Sequence, residues 1–226
     1  MKKQIKNDFI SQVSHELRTP LTAIKGWTIT LNSEETDKET LELGFQIIEK
    51  ETDRLSLMVE ELLDFSRLIN ENVSLDLREV NIEEFINHIE SFMSPRAHKE
   101  GIELKFINEA NGYMLVDSNR LKQVFINLLD NAFKFTGGGG QVIFNTSNFN
   151  EKIKFVIEDN GCGISEEDLP RVKEKFFKGK NSNSKNGIGL SICDEIIKLH
   201  TGEFNIYSKL GIGTKVEVII PIIKEE

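Results

Sequence analysis

The chain of 226 residues has only two cysteines, Cys162 and Cys193. That is too few for a disulfide framework, and reduced thiols are the simpler reading. Long apolar runs are missing as well. None approaches the roughly 18 residues that a membrane-spanning helix needs. The basic start MKKQIKNDF is not followed by the apolar core of a secretory leader. A cytoplasmic region is therefore expected, with any membrane contact confined to an upstream segment. Basic residues are outnumbered, 28 to 37, and the net charge of −9 excludes a general attraction to nucleic acid or anionic lipid. Low complexity is limited to the glycine run at 137–140, and no internal repeat occurs. What is present, 38% hydrophobic and 29% charged residues, suits a globular chain of one large or two modest domains.

Ile10, Val13, Leu17, Leu21, Ile24 and Leu31 recur at helical spacing, so residues 5–31 read as a helix. His15 stands two residues from both Val13 and Leu17. At about 100° per residue it falls on the opposite face and should point into solvent. Pro20 removes one N–H and should bend the helix. SEETD, 33–37, reads as a polar break with helix-start character. From Leu41 through Phe45, Ile48, Thr52, Leu55, Val59, Leu62 and Ser66 to Ile69, steps of four and three mark a second helix with a coiled-coil seam. Leu57, Met58, Leu63 and Phe65 widen its apolar face. The two helices form an antiparallel hairpin. Because one hairpin cannot cover that face, a homodimer with a four-helix bundle is expected; packing of the hairpin on the rest of its own chain is the alternative.

Residues 1–70 thus read as a helical-hairpin domain, 71–80 as a linker and 81–226 as a second domain. In that domain, 81–94 and 119–135 read as helices. IELKFIN, QVIFNTS, KIKFVIED, GEFNIYS and TKVEVIIP read as strands, and GIGLSICDEIIKLH as a helix opening on glycines. Strands and helices mix without strict alternation. The expected fold class is α+β, the hairpin being followed by a mixed sheet with helices on one face.

Asn127 and Asn131 are four apart on one helical face, and their carbonyls could ligate magnesium, with Lys134 near enough to meet a phosphate. Alone they read as solvated asparagines. In EDNGCGIS, Asp159 ends a strand where a carboxylate can accept a bond from an exocyclic amine, and Gly161 and Gly163 allow close backbone approach. A plain strand-end turn is the alternative. In NGIGLSI, Gly187 and Gly189 would bring backbone N–H groups against phosphate. No Lys-Ser or Lys-Thr pair follows, so this is not a P-loop. GIGT, 211–214, is by itself a hairpin turn. The lysine-rich stretch between the second and third motifs is long for a structureless loop and suggests a mobile lid.

In their order these motifs resemble the catalytic core of two-component sensor histidine kinases. HELRTPL resembles the phosphoacceptor box, NLLDNAFKFT the N box, DNGCGI the G1 box, GIGLSI the G2 box and GIGT the G3 box. The resemblance covers essentially the whole chain. It implies a dimerising hairpin followed by an α/β-sandwich ATP-binding domain of the GHKL type, with ATP and magnesium as cofactors and a response-regulator receiver domain as partner. It makes His15 the acceptor of the γ-phosphoryl group, Glu16 the group that takes its Nδ1–H, and Thr19 an orienter of water when the regulator is dephosphorylated. Arg18 would contact phosphate or partner. ATP would be held by Asn127, Asn131, Lys134, Phe135, Asp159, Gly161, Gly163, Lys178, Gly187, Gly189, Leu190, Gly211, Gly213 and Thr214, and the metal by Asn127. The sequence departs from the family in KEKFFK: Lys173 replaces an aromatic residue and Lys178 an arginine, from which a looser lid is expected. Phe135 stands where Tyr or His is common. A mainly regulator-phosphatase role and a non-catalytic ATP-binding docking dimer are the alternative functions.

Overall fold

The computed structural model describes residues 2–33, 37–69, 75–175, 177, 179 and 187–222; for 2–13, 15, 16, 57 and 60–69 it describes the helical backbone alone. The chain divides into two compact units, the first running through Arg67 and the second beginning at Leu68.

The first unit is α1 (Lys2–Leu31) and α2 (Lys38–Ile69). Helix α1 continues through Pro20. Asp37 starts α2 by accepting the Thr40 N–H at 2.8 Å, which lowers its pKa and satisfies an otherwise orphaned donor. Gly44 lets the helices approach: a Cβ there would stand 2.7 Å from Leu31 Cδ2 and 2.9 Å from Trp27 Cε3.

The second unit starts with β1 (Arg78–Asn81) and α3 (Ile82–Glu100), then β2 (Glu103–Asn108), β3 (Tyr113–Val116), α4 (Ser118–Thr136), β4 (Gln141–Phe149) and β5 (Lys152–Asp159). A 3-10 turn at Leu169–Arg171 precedes α5 (Gly189–Leu199), β6 (Glu203–Lys209) and β7 (Gly213–Pro221). Five strands form one sheet in the order β2-β4-β5-β7-β6. β2 runs parallel to β4 and the other pairings are antiparallel, so the sheet is mixed. Alternate residues of β4 and β5 (Val142, Phe144, Ile153, Phe155, Ile157) are buried on one face, as period-two strands require. They meet Phe85, Ile86 and Ile89 of α3 and Leu121, Phe125 and Leu128 of α4 in the core. The Phe125 ring sits 4.6 Å from Phe155, 5.3 Å from Phe144 and 5.9 Å from Phe85.

Two local expectations change. Residues 78–80, read as linker, are strand: β1 pairs antiparallel with β3, and YMLV is too short for its alternation to stand out. Helix α3 runs past residue 94, through Pro95, to a left-handed Gly101 at φ 69°. The carbonyl that Pro95 leaves unpaired is that of Ser91, on an exposed part of the helix, where water can satisfy it. Among the described residues, no helix is long and apolar enough to cross a membrane.

Candidate nucleotide and phosphoacceptor site

In the second unit, three glycine motifs and one helix meet. Asp159 ends β5, and its Oδ1 accepts the Gly161 N–H at 2.9 Å and the Thr214 N–H at 3.3 Å. The G1 and G3 motifs therefore share one half-buried carboxylate oxygen. Burial raises the Asp159 pKa, and those two bonds pull it back. The glycines are demanded by contact. A Cβ on Gly161 would lie 2.4 Å from the Phe135 carbonyl, and one on Gly163, at φ +67°, 2.1 Å from that of Lys209. A Cβ on Gly213 would lie 2.0 Å from the Asp159 carbonyl. The Cys162 N–H donates to the Phe135 carbonyl at 3.1 Å and the Gly211 N–H to that of Cys162 at 2.7 Å. The end of α4, the loop after β5 and the β6–β7 turn are thus laced together.

Asn127 lies on α4 against the start of α5. Its Nδ2 donates to the Gly189 carbonyl at 3.4 Å, and a Cβ on Gly189 would come 3.0 Å from its Oδ1. The second glycine motif needs glycine here to let α5 approach the amide. Cys193, one turn further on, is fully buried; burial pushes its thiol up to about 12, against a bond from Asn127. It stays a neutral thiol. Gly187 takes φ +65°, Leu190 is half-buried in the first turn of α5, and Asn131 is half-buried on α4. Lys134 is exposed, with its ammonium 5.2 Å from the half-buried Phe135 ring. Lys178 lies outside the described residues.

On α1, Arg18 and Thr19 are exposed and line a shallow depression with Thr22 and Ala23. His15 and Glu16 lie in the helical backbone, and the orientation of their side chains lies outside the described residues.

The lid's first residues differ from expectation. Lys173 is engaged there, while residues 180–186 of the lid lie outside the described residues. Its Nζ donates to the Phe204 carbonyl, pairs with Asp194 at 3.5 Å and stands 4.4 Å over the Phe204 ring. Arg171 lies 4.6 Å over the Phe177 ring. Cationic contacts replace aromatic packing. Sequence reading also missed Ser208, whose hydroxyl accepts the Ile164 N–H and donates to the Gly213 carbonyl, both at 2.8 Å. Its place just before the G3 turn was the available signal. Asn160, whose Oδ1 accepts the Gln141 N–H at 2.8 Å, was missed as well.

The comparisons with known proteins agree on both units. Residues 5–71 match the His Kinase A (phospho-acceptor) domain, and residues 116–224 match the histidine kinase-, DNA gyrase B-, and HSP90-like ATPase family. The chain belongs to the histidine kinases, as a two-component catalytic core. The sensor histidine kinase YclK of Bacillus subtilis is 30% identical over 96% of this chain and 47% of its own length. The sensor protein SrrB of Staphylococcus aureus is 30% identical over 96% of this chain and 38% of its own. The chain spans about half or less of these relatives. Histidine kinase ThkA, solved in complex with the response regulator protein TrrA, superposes with a TM-score of 0.82 at 28% identity, covering 98% of this chain and 63% of that one. The second unit is accordingly an ATP-binding domain of this family.

Proposed function

We propose that the chain transfers the γ-phosphoryl group of ATP to His15 and then to an aspartate of a response-regulator receiver domain. The observation that carries this reading is the joining of the G1 and G3 motifs on Asp159, in a chain whose first helix holds HELRTP. Asp159 binds the exocyclic amine of adenine through Oδ2, since Oδ1 is engaged by two backbone donors. Gly187 and Gly189 present backbone N–H groups and the start of α5 to the phosphates. The Asn127 amide fits a magnesium ion: its nitrogen is used on Gly189, leaving a hard carbonyl oxygen. When bound, that ion would neutralise charge on the phosphates.

A neutral imidazole has the reactive lone pair, and an ordinary histidine near pKa ~6.5 is mostly neutral at pH 7. Glu16 takes the bond from Nδ1–H, so Nε2 attacks phosphorus in line. The N–P bond forms as the bond to the bridging oxygen breaks and ADP leaves, and Glu16 stabilises the positive charge growing on the ring. In the second step an aspartate oxygen of the receiver attacks the same phosphorus and Nε2 leaves. ThkA's complex with TrrA supports such a partner. Thr19, one turn beyond Glu16 and exposed, serves water-mediated dephosphorylation of the regulator.

We further propose that the hairpin pairs with a second copy as a four-helix bundle. Leu21, Ile29 and Phe45 are 54%, 66% and 62% exposed, more apolar surface than a solitary hairpin should show water. Residues 1–70 are the dimerisation and acceptor domain and 81–226 the catalytic domain. ATP use and two reduced thiols suit the cytoplasm. The test preloads the chain with γ-labelled ATP, removes free nucleotide and adds a receiver domain. Label should move to the receiver as an alkali-labile acyl phosphate. Label that never moves, with rapid dephosphorylation of a prephosphorylated receiver, would favour the phosphatase reading instead.

A further inference from the structure

Helices α4 and α5 lie antiparallel, and polar contacts along their length mark the register. At one end is Asn127 with the Gly189 carbonyl, 3.4 Å apart; in the middle, the Cys193 thiol and the Val124 carbonyl, 3.8 Å apart. At the far end, the Asp117 N–H donates to His200 Nε2 at 3.0 Å. The residue numbers fall on one side as they rise on the other, so the three are rungs of a single register. Leu121, Val124, Leu128, Ile192, Ile196 and Ile197 fill the core around these rungs and are buried. Apolar burial is non-directional, whereas a hydrogen bond has one partner and one direction, so the polar rungs single out one register among those that packing would allow. The His200 rung is the shortest, and His200 is 4% exposed.

We propose that His200 is a positioning residue, fixing the register of α5 on α4 and thereby seating Gly189 against the Asn127 amide. This rests on the reading that Asn127 and Gly189 face the ATP phosphates. The ring has one workable state. Nδ1 lies 2.8 Å from the Ile196 carbonyl and must be the N–H donor, which leaves Nε2 as the acceptor for Asp117 N–H. A protonated ring would set N–H against N–H at Asp117. Burial lowers the His200 pKa, opposed by the Ile196 bond and the Asp117 charge, and so keeps the ring neutral. Asp117 is the charged group facing it from the β3–α4 junction. Its Oδ1 caps α4 at the Arg120 N–H, and its Oδ2 accepts the Asp76 N–H at 3.2 Å, with the Asp76–Arg78 pair behind. On its own helix the nearest charges are Lys198, paired with Asp194 at 2.5 Å, and Glu195. A shift of one residue's rise, about 1.5 Å, would break the Asn127 contact.

The test compares wild type, His200→Phe and His200→Gln. It uses titration with a fluorescent ATP analogue and the NMR signals of the Asn127 side-chain amide and the Gly189 backbone amide without nucleotide. Phe fills the space without an acceptor; it should weaken binding about tenfold, the scale of one net hydrogen bond, and move both signals. Gln restores an acceptor and should recover most of the loss. Unmoved signals in the Phe variant, or a Gln variant as impaired as Phe, would overturn the proposal. If the Phe variant does not fold, wild type decides. Ring nitrogen shifts must show Nε2 unprotonated at pH 7, and the Asn127 signal must move as His200 titrates; independence of the two sinks the claim. Failure of wild type to bind the analogue would refute the nucleotide reading alone, because the Asn127 signal still judges the register.

Discussion

The hairpin and the ATP-binding unit differ most in what they bury. Among the described residues, Met58 is the hairpin's one buried large apolar side chain, while the second unit buries a continuous set from Ile82 to Ile220. The hairpin exposes Ile29, Phe45 and Val59; the second unit closes Phe85, Phe125, Phe144 and Phe155 into a cluster. Among the described residues, the second unit has a core of its own, and the hairpin shows the apolar surface on which the proposed second copy would pack. The difference fits the proposed division of labour, in which the acceptor would sit on an element completed by a second copy and ATP on one that is complete.

The two units should part most visibly when the aromatic cluster is opened. Phe125→Ala should cost about 3–5 kcal/mol through lost transfer energy and the cavity left behind. Only the ATP-binding transition in thermal unfolding should fall; a matching fall in the hairpin would show that the two do not fold separately. Next is Gly163→Ala. Its positive φ costs about 1–3 kcal/mol, added to the collision with the Lys209 carbonyl, so ATP affinity should collapse in a nucleotide titration. Phe45→Glu should dissociate the proposed dimer, losing roughly 2 kcal/mol per copy of apolar burial. Light scattering would show monomer, with the second unit's melting unchanged.

A smaller effect is set by pH. His200 has its folded pKa held below the unfolded value by burial. The unfolded chain therefore takes up the proton first. The second unit should be fully stable above about pH 6.5 and lose stability as pH falls through the folded pKa. Its urea midpoint should fall across that range in wild type and stay flatter in His200→Gln. The smallest effect belongs to Lys173→Met, since that amine is one-third exposed and its ion pair screened. Faster proteolysis of the lid, by a few-fold, is expected, with nucleotide affinity little changed.

The helices and most strands of this fold were legible because their periodicity is strong: the buried residues of α4 and the alternation in β4 and β5 follow the sequence pattern. Pairing was legible only for the closing hairpin, whose glycine turn joins β6 to β7. β1 and β3 are four residues each and acquire meaning only from each other. The convergence of the glycine motifs could be read from their order, but the single Asp159 oxygen that joins Gly161 to Thr214 depends on long-range register between β5 and β7. Lys173 illustrates the limit of analogy. As a substitution for an aromatic residue it predicts looseness, yet a long amine reaches a carbonyl, a carboxylate and a ring. His200 has no motif around it and emerges only when α4 and α5 are laid side by side.

The most direct measurement is incubation with γ-labelled ATP and magnesium, alongside His15→Gln and Asn127→Ala. Label on the wild type should be acid-labile and alkali-stable, as a phosphoramidate is, and absent from both variants. Label that persists in His15→Gln, or a wild type that binds ATP and takes no label, would contradict the transfer from the self-contained unit to the hairpin.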